Sequence, residues 1–131
     1  MSPQERHYEQ KLAFEIDAFD LFDALNRGEK IIPVDARSNE GFSQEHIPGA
    51  LSIPHRTMNS ETTKDLRKDV LYVTYCDGIG CNASTKGALK LASLGFQVKE
   101  LIGGLEWWKK DGYDTEGVNV ISNGTKVRCF C

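Results

Sequence analysis

Val70-Leu-Tyr-Val-Thr-Tyr75 is an unbroken run of β-branched, aliphatic and aromatic residues, preceded by Asp69 and halted at Cys76. A run of this length and composition predicts a buried strand. A short loop with Gly78 and Gly80 follows, then a segment of helical period from Asn82 to Leu94 that Gly95 closes. Within it Ala88, Leu91, Ala92 and Gly95 keep the i, i+3, i+4, i+7 spacing of a buried helix face. Upstream, Asp17 reads as the N-cap of a helix bearing Phe19, Leu21, Phe22 and Leu25, with Gly28 just past its end. Pro3 to Lys11 predicts a short polar helix and Phe14 to Ile16 an extended piece. Ile31 to Ala36 reads as a strand; Pro33 has no N–H to give a ladder and marks an edge or bulged position there.

The remaining elements are shorter. Asn39 to Glu45 predicts a helical turn, His46 to Gly49 a tight connection, and Ala50 to Ile53 a short strand ended by Pro54. Arg56 to Arg67 is polar and predicts a surface helix capped near Thr62 or Thr63. Val98 to Ile102 reads as a further strand, and Gly103-Gly104 turns the chain into a helix from Leu105 to Lys110 that ends at Gly112. Trp107 and Trp108 belong to that helix as core and rim aromatics, not as a stacking platform. Beyond Tyr113 the period weakens, though Val118–Ile121 and Thr125–Arg128 around Asn123-Gly124 predict a hairpin. Short strands alternating with helices give an α/β fold with a mostly parallel sheet, in which ligands bind beyond the carboxyl ends of the strands. Cys76 is at that edge.

Composition adds bounds. A chain of 131 residues is expected to form one domain, with a core from about residue 14 to 113 and an extension over 114–131. A net charge of -3 gives no reason to expect nucleic acid or an anionic membrane as partner. The polar start Ser2 to His7 has no apolar segment of a signal peptide, and no run approaches the roughly 20 residues of a spanning helix. The cytoplasm is therefore the expected compartment, and the four cysteines are expected to be reduced thiols and not a disulfide framework.

The chemistry concentrates after residue 75. A strand, a glycine-bearing loop and a helix start gather unpaired amides, here those of Asp77, Gly78, Ile79, Gly80 and Asn82, into an anion cradle. A cysteine in that field has its pKa drawn below the free value of about 8.5, so Cys76 is the candidate nucleophile, against the alternative of a buried structural cysteine. Cys81 has several readings: a relay that receives sulfur from Cys76, a resolving partner that closes a disulfide with it, the nucleophile itself, or a packing residue. His46 reads as a satisfied, partly buried histidine, not a base. Cys129 and Cys131 make four thiols with Cys76 and Cys81, but without the paired C-x2-C spacing of zinc sites, so no metal and no cofactor is expected.

Three motifs, in order, resemble the rhodanese-like sulfurtransferase family. They are Val34-Asp-Ala-Arg-Ser-Asn-Glu-Gly-Phe42 with Glu45-His-Ile-Pro-Gly-Ala-Leu-Ser-Ile-Pro54, then Tyr75-Cys76 before its loop and helix, then Leu94-Gly-Phe96 with Leu101-Ile-Gly-Gly-Leu-Glu-Trp-Trp108 and Gly112-Tyr113. The resemblance implies a five-stranded sheet flanked by helices on both faces. It also implies transfer of sulfane sulfur through a persulfide on Cys76, from a small-molecule or protein donor to a thiophilic acceptor. Asp35 and Arg37, in the first motif, read as structural support, a charge pair or hydrogen-bond hub that holds the neighbouring loops. The loop itself has no arginine or lysine, which favours a persulfide over thiosulfate as donor and disfavours the arginine-closed loops of related phosphatases and arsenate reductases. The alternative is a catalytically idle rhodanese-like module that binds a partner or senses redox state through Cys76 and Cys81.

Overall fold

The computed structural model describes residues 1–118. Along the chain run α1 (Pro3–Phe14), β1 (Glu15–Ile16), α2 (Ala18–Asn26), β2 (Ile31–Asp35), α3 (Asn39–Gln44), β3 (Leu51–Ser52), a 3-10 turn (His55–Thr57), β4 (Leu71–Tyr75), α4 (Ala83–Ser93), β5 (Gln97–Leu101) and α5 (Gly104–Lys110). The strands lie in the order β1-β5-β4-β2-β3, and every ladder in this five-stranded sheet is parallel. Local signals explain where the helices start. Ser2 and Glu5 form a reciprocal capping box on α1, the Asp17 carboxylate accepts the Asp20 amide, and Ser38 Oγ accepts the Gly41 amide.

Alternation along β4 divides the core in two. Val73 and Tyr75 pack with Leu21 and Ala24 of α2 and with Leu105 and Trp108 of α5. Tyr72 and Cys76 face the other way, into a cluster with Ala83 and Leu91 of α4. Burying both faces of a parallel sheet under helices is what its near-continuous apolar strands require, and the predicted α/β architecture is the one observed. Of the two tryptophans, Trp108 is buried with Nε1 donating to the Asp114 carbonyl, and Trp107 is half exposed.

Three details differ from the sequence reading. No helix forms over residues 56–67: after the 3-10 turn, Asn59 Oδ1 accepts the amides of Glu61 and Thr62, and Thr62 Oγ1 donates to the Thr57 carbonyl. Short polar side chains bonding their own backbone compete with helix in this way. The buried face of α4 is Ala83, Ser84, Gly87 and Leu91, whereas Ala92 and Gly95 are exposed. Pro33 lies fully buried in β2, between β4 and β3 in the sheet. Asp35 offers its carbonyl to Ile53 on the β3 side, so Pro33, two residues back, faces that side too. There β3 pairs only with Val34 and Asp35, so no ladder needs the missing N–H. The hairpin expected around Asn123-Gly124, with Cys129 and Cys131, lies outside the described residues.

Candidate active site

Cys76 is the first residue past β4, and the amino terminus of α5 holds it there. The Cys76 carbonyl accepts the Leu105 amide at 2.9 Å, and the Asp77 carbonyl accepts the Glu106 amide at 2.8 Å. Gly103 and Gly104, with φ of 80° and 60°, make this docking possible. A Cβ on Gly104 would stand 2.4 Å from the Cys76 carbonyl oxygen, which excludes any other residue without movement of the loop. The sequence reading takes this pair only as a turn. Its second role, admitting the cysteine's backbone, depends on a strand and a helix far apart in the chain.

The structure brings Cys76 and Cys81 together: their sulfurs are bonded, with Cα atoms 6.2 Å apart. This corrects the expectation of four reduced thiols. The composition argument concerns disulfides that staple a small core, whereas this pair spans one tight loop, with a Cα spacing well inside the range a disulfide bridges. Cys76 is buried, in the cluster that includes Val34, Ala36, Ile53, Met58 and Ala83; Cys81 is half-buried beside it. The Cys81 amide donates to the Gly78 carbonyl, so that donor is spent inside the loop. Ile79 and Gly80 form an exposed tip, and Asn82 begins α4 without a side-chain cap. In this state the loop presents a disulfide backed by hydrocarbon in place of the expected thiolate in an amide cradle. Reduction is needed to free either thiol.

Beneath the loop, Arg37 ties three segments together. Its Nε and Nη2 reach the Asp35 carboxylate at 2.9 and 2.7 Å, Nη1 reaches Asp77 Oδ1 at 2.7 Å, and Nη2 also donates to the Glu45 carbonyl at 2.6 Å. Burial alone disfavours the charge on Arg37, but the hydrogen bonds and charges of Asp35 and Asp77 outweigh it and hold the guanidinium above its ordinary pKa. Asp77, read from sequence only for its amide, thus contributes its carboxylate to a buried ion triad. Next to it, burial followed by the charge of Asp35 pushes the Tyr75 phenol well above 10, while its oxygen accepts the Ile47 amide. His46 stacks on Phe42 and its Nδ1 lies 2.6 Å from the Phe42 carbonyl, away from the cysteines.

On the α4 side lies a group that the sequence reading does not single out. His55 in the 3-10 turn is buried beneath α4, its amide donating to Ala36 and its carbonyl accepting Lys90 Nζ. Burial, then the charges of Lys86, Arg56 and Lys90, press its pKa below 6.5. Gly87, one residue after Lys86, is the close-packing point, where a Cβ would meet Met58 and Ala36 at 3.1 and 3.2 Å. Lys86 and Lys90 of α4 and Arg56 of the 3-10 turn thus gather their charge around His55. No spacing in the sequence links residues 55–56 to residues 86–90.

These features converge with the comparisons to known proteins. The rhodanese-like domain family matches residues 19–111, and the chain belongs to that family. Among solved structures, the BH2092 protein of Bacillus halodurans is 45% identical with a TM-score of 0.85, over 95% of each chain. The rhodanese-like domain of an Anabaena protein is 29% identical with a TM-score of 0.72, over 87% of this chain and 88% of that one. Thiosulfate sulfurtransferase of Pseudomonas aeruginosa is 27% identical with a TM-score of 0.68, over 83% of this chain but 20% of that one. A curated relative, an HTH-type transcriptional regulator of Mycobacterium tuberculosis, is 28% identical over 110 residues, and the match spans 82% of this chain and 48%, about half, of the regulator. Among the described residues no helix is long and apolar enough to cross a membrane.

Proposed function

We propose that this protein is a sulfurtransferase that carries sulfane sulfur as a persulfide on Cys76, between a donor and a thiophilic acceptor. The observation that carries this reading is the sulfur bonded to Cys76: the Cys81 sulfur stands where the outer sulfur of a persulfide would stand. The position next to Cys76 Sγ therefore admits a second sulfur atom without disturbing the cluster behind it. Once reduced, the thiolate attacks the sulfane sulfur of the donor, the donor's S–S bond breaks, and the donor leaves as a thiolate or sulfite. The anionic persulfide then lies beside the amides of Asp77, Gly78, Ile79, Gly80 and Asn82.

The donor class follows from charge. Asp77 is paired with Arg37, which it shares with Asp35, so its carboxylate is turned into that triad. With no arginine or lysine in the loop to clasp a sulfonate, a low-molecular-weight or protein persulfide matches better than thiosulfate. The test uses Cys81→Ser, reduced, desalted without oxygen, and incubated with a persulfide donor or separately with thiosulfate. Intact mass is expected to rise by one sulfur atom, mapped to Cys76, and Cys76→Ser is expected to gain none.

A second reading has its own support. The Cys76–Cys81 bond and the likeness to a transcriptional regulator also suit a redox-sensing module that turns over no sulfur. It predicts that Cys81→Ser stays unmodified by every donor while the wild-type thiols still cycle between dithiol and disulfide.

A further inference from the structure

We infer that Cys81 resolves the Cys76 persulfide within the same chain, so that the protein converts sulfane sulfur to hydrosulfide and ends the step as the Cys76–Cys81 disulfide. This deepens the sulfurtransferase reading and rests on it. Two observations carry it. The sulfurs of Cys76 and Cys81, at a sequence separation of 5, are bonded, so contact of one with the other is sterically available without unfolding. The burial of the two residues is also unequal. Cys76 is 1% exposed, whereas Cys81 is half-buried at the end of the exposed tip Ile79-Gly80, so Cys81 is the sulfur that can swing toward and away from its partner.

The step balances as follows. The Cys81 thiol passes its proton to the outer sulfur of the anionic Cys76 persulfide, and the Cys81 thiolate so formed attacks Cys76 Sγ, the inner sulfur. The Cys81–Cys76 S–S bond forms, the bond from Cys76 Sγ to the outer sulfur breaks, and the outer sulfur departs as HS⁻ with that proton. The sulfane sulfur is reduced by two electrons and the two cysteines are oxidised to the disulfide. A dithiol reductant, attacking at the more exposed Cys81, restores both thiols and is itself oxidised to a disulfide. Holding the attacking thiolate in the same loop makes the step intramolecular, which is the source of its advantage over resolution by an external thiol. A terminal acceptor is then unnecessary, and the loop that lacks arginine is the one that carries its own reductant.

The experiment is a single turnover without added reductant. Wild type, Cys81→Ser, Cys81→Ala and Cys76→Ser are reduced, desalted without oxygen, loaded with a limiting persulfide donor, desalted again, and followed by sulfide trapping and intact mass. Wild type is expected to release one equivalent of sulfide per persulfide, in a first-order process independent of protein concentration, and to end two hydrogen atoms lighter than the dithiol. Both Cys81 variants are expected to hold the extra sulfur and to release sulfide at least about tenfold more slowly. Wild type that keeps its persulfide, Cys81 variants that release sulfide as fast as wild type, or a rate that scales with protein concentration overturns the inference and leaves the Cys76 persulfide standing. Cys81 variants that never gain sulfur on Cys76 overturn the sulfurtransferase reading itself, and the resolution step with it.

Discussion

Gly104 and Gly78 both lie where the cysteine loop meets α5, but a methyl group added to each meets a different kind of neighbour. On Gly104 it meets the Cys76 carbonyl at 2.4 Å, a backbone atom that cannot retreat without moving the site, and φ is 60°. On Gly78 it meets Glu106 Oε2 at 2.7 Å, the far end of a flexible side chain. Gly104→Ala is therefore expected to cost more than about 2 kcal/mol and to slow sulfur loading, while Gly78→Ala costs under about 1 kcal/mol. Urea denaturation of the two variants checks this, and equal losses would refute it. The choice of Cys76 as the candidate nucleophile rests on its place after an apolar run. The reason for Gly104 was not legible in the sequence, because a close approach between segments 28 residues apart leaves no local period.

The 3-10 turn and α4 form a unit that sequence patterning misreads. The polar stretch 56–67 has helical composition, but Asn59 and Thr62 satisfy their own backbone and leave only the short turn that buries His55 under α4. The folded protein holds the His55 pKa below 6.5, through burial first and then Lys86, Arg56 and Lys90. Below 6.5 the unfolded chain takes up a proton that the folded one refuses. This contribution to stability is thus complete above about pH 6.5 and is lost as pH falls through the folded value. Unfolding free energy measured between about pH 7.5 and pH 5 is expected to decline on the acid side. In His55→Gln the decline over that window is expected to flatten; an unchanged slope would show that other groups set it.

Across the whole molecule, Arg37 joins the carboxyl end of β2, the end of α3 through the Glu45 carbonyl, and the cysteine loop through Asp77. Glu45 extends the tie, its carboxylate receiving Lys109 of α5 and Thr115 beyond it. Removing the cation leaves Asp35 and Asp77 buried as carboxylates with no partner of opposite charge from Arg37, which costs about 3–5 kcal/mol in comparable sites. Arg37→Met is expected to lose that much in denaturant unfolding. Arg37→Lys is expected to recover only part of it, since an ammonium cannot span two carboxylates and a carbonyl at once. A fully stable Arg37→Lys would mean that charge alone suffices.

The parallel α/β class and the family lie in the linear chain, as does the nomination of Cys76 as a candidate, because period, caps and motif spacing are short-range properties. What the sequence left open was decided by packing. Whether Cys81 is partner or bystander, which face of α4 is buried, why Pro33 is tolerated and where Asp77 sends its carboxylate each depend on segments that only the folded sheet makes neighbours. A residue's chemistry is carried by its own side chain, but its role is set by what folding brings within a few ångströms of it.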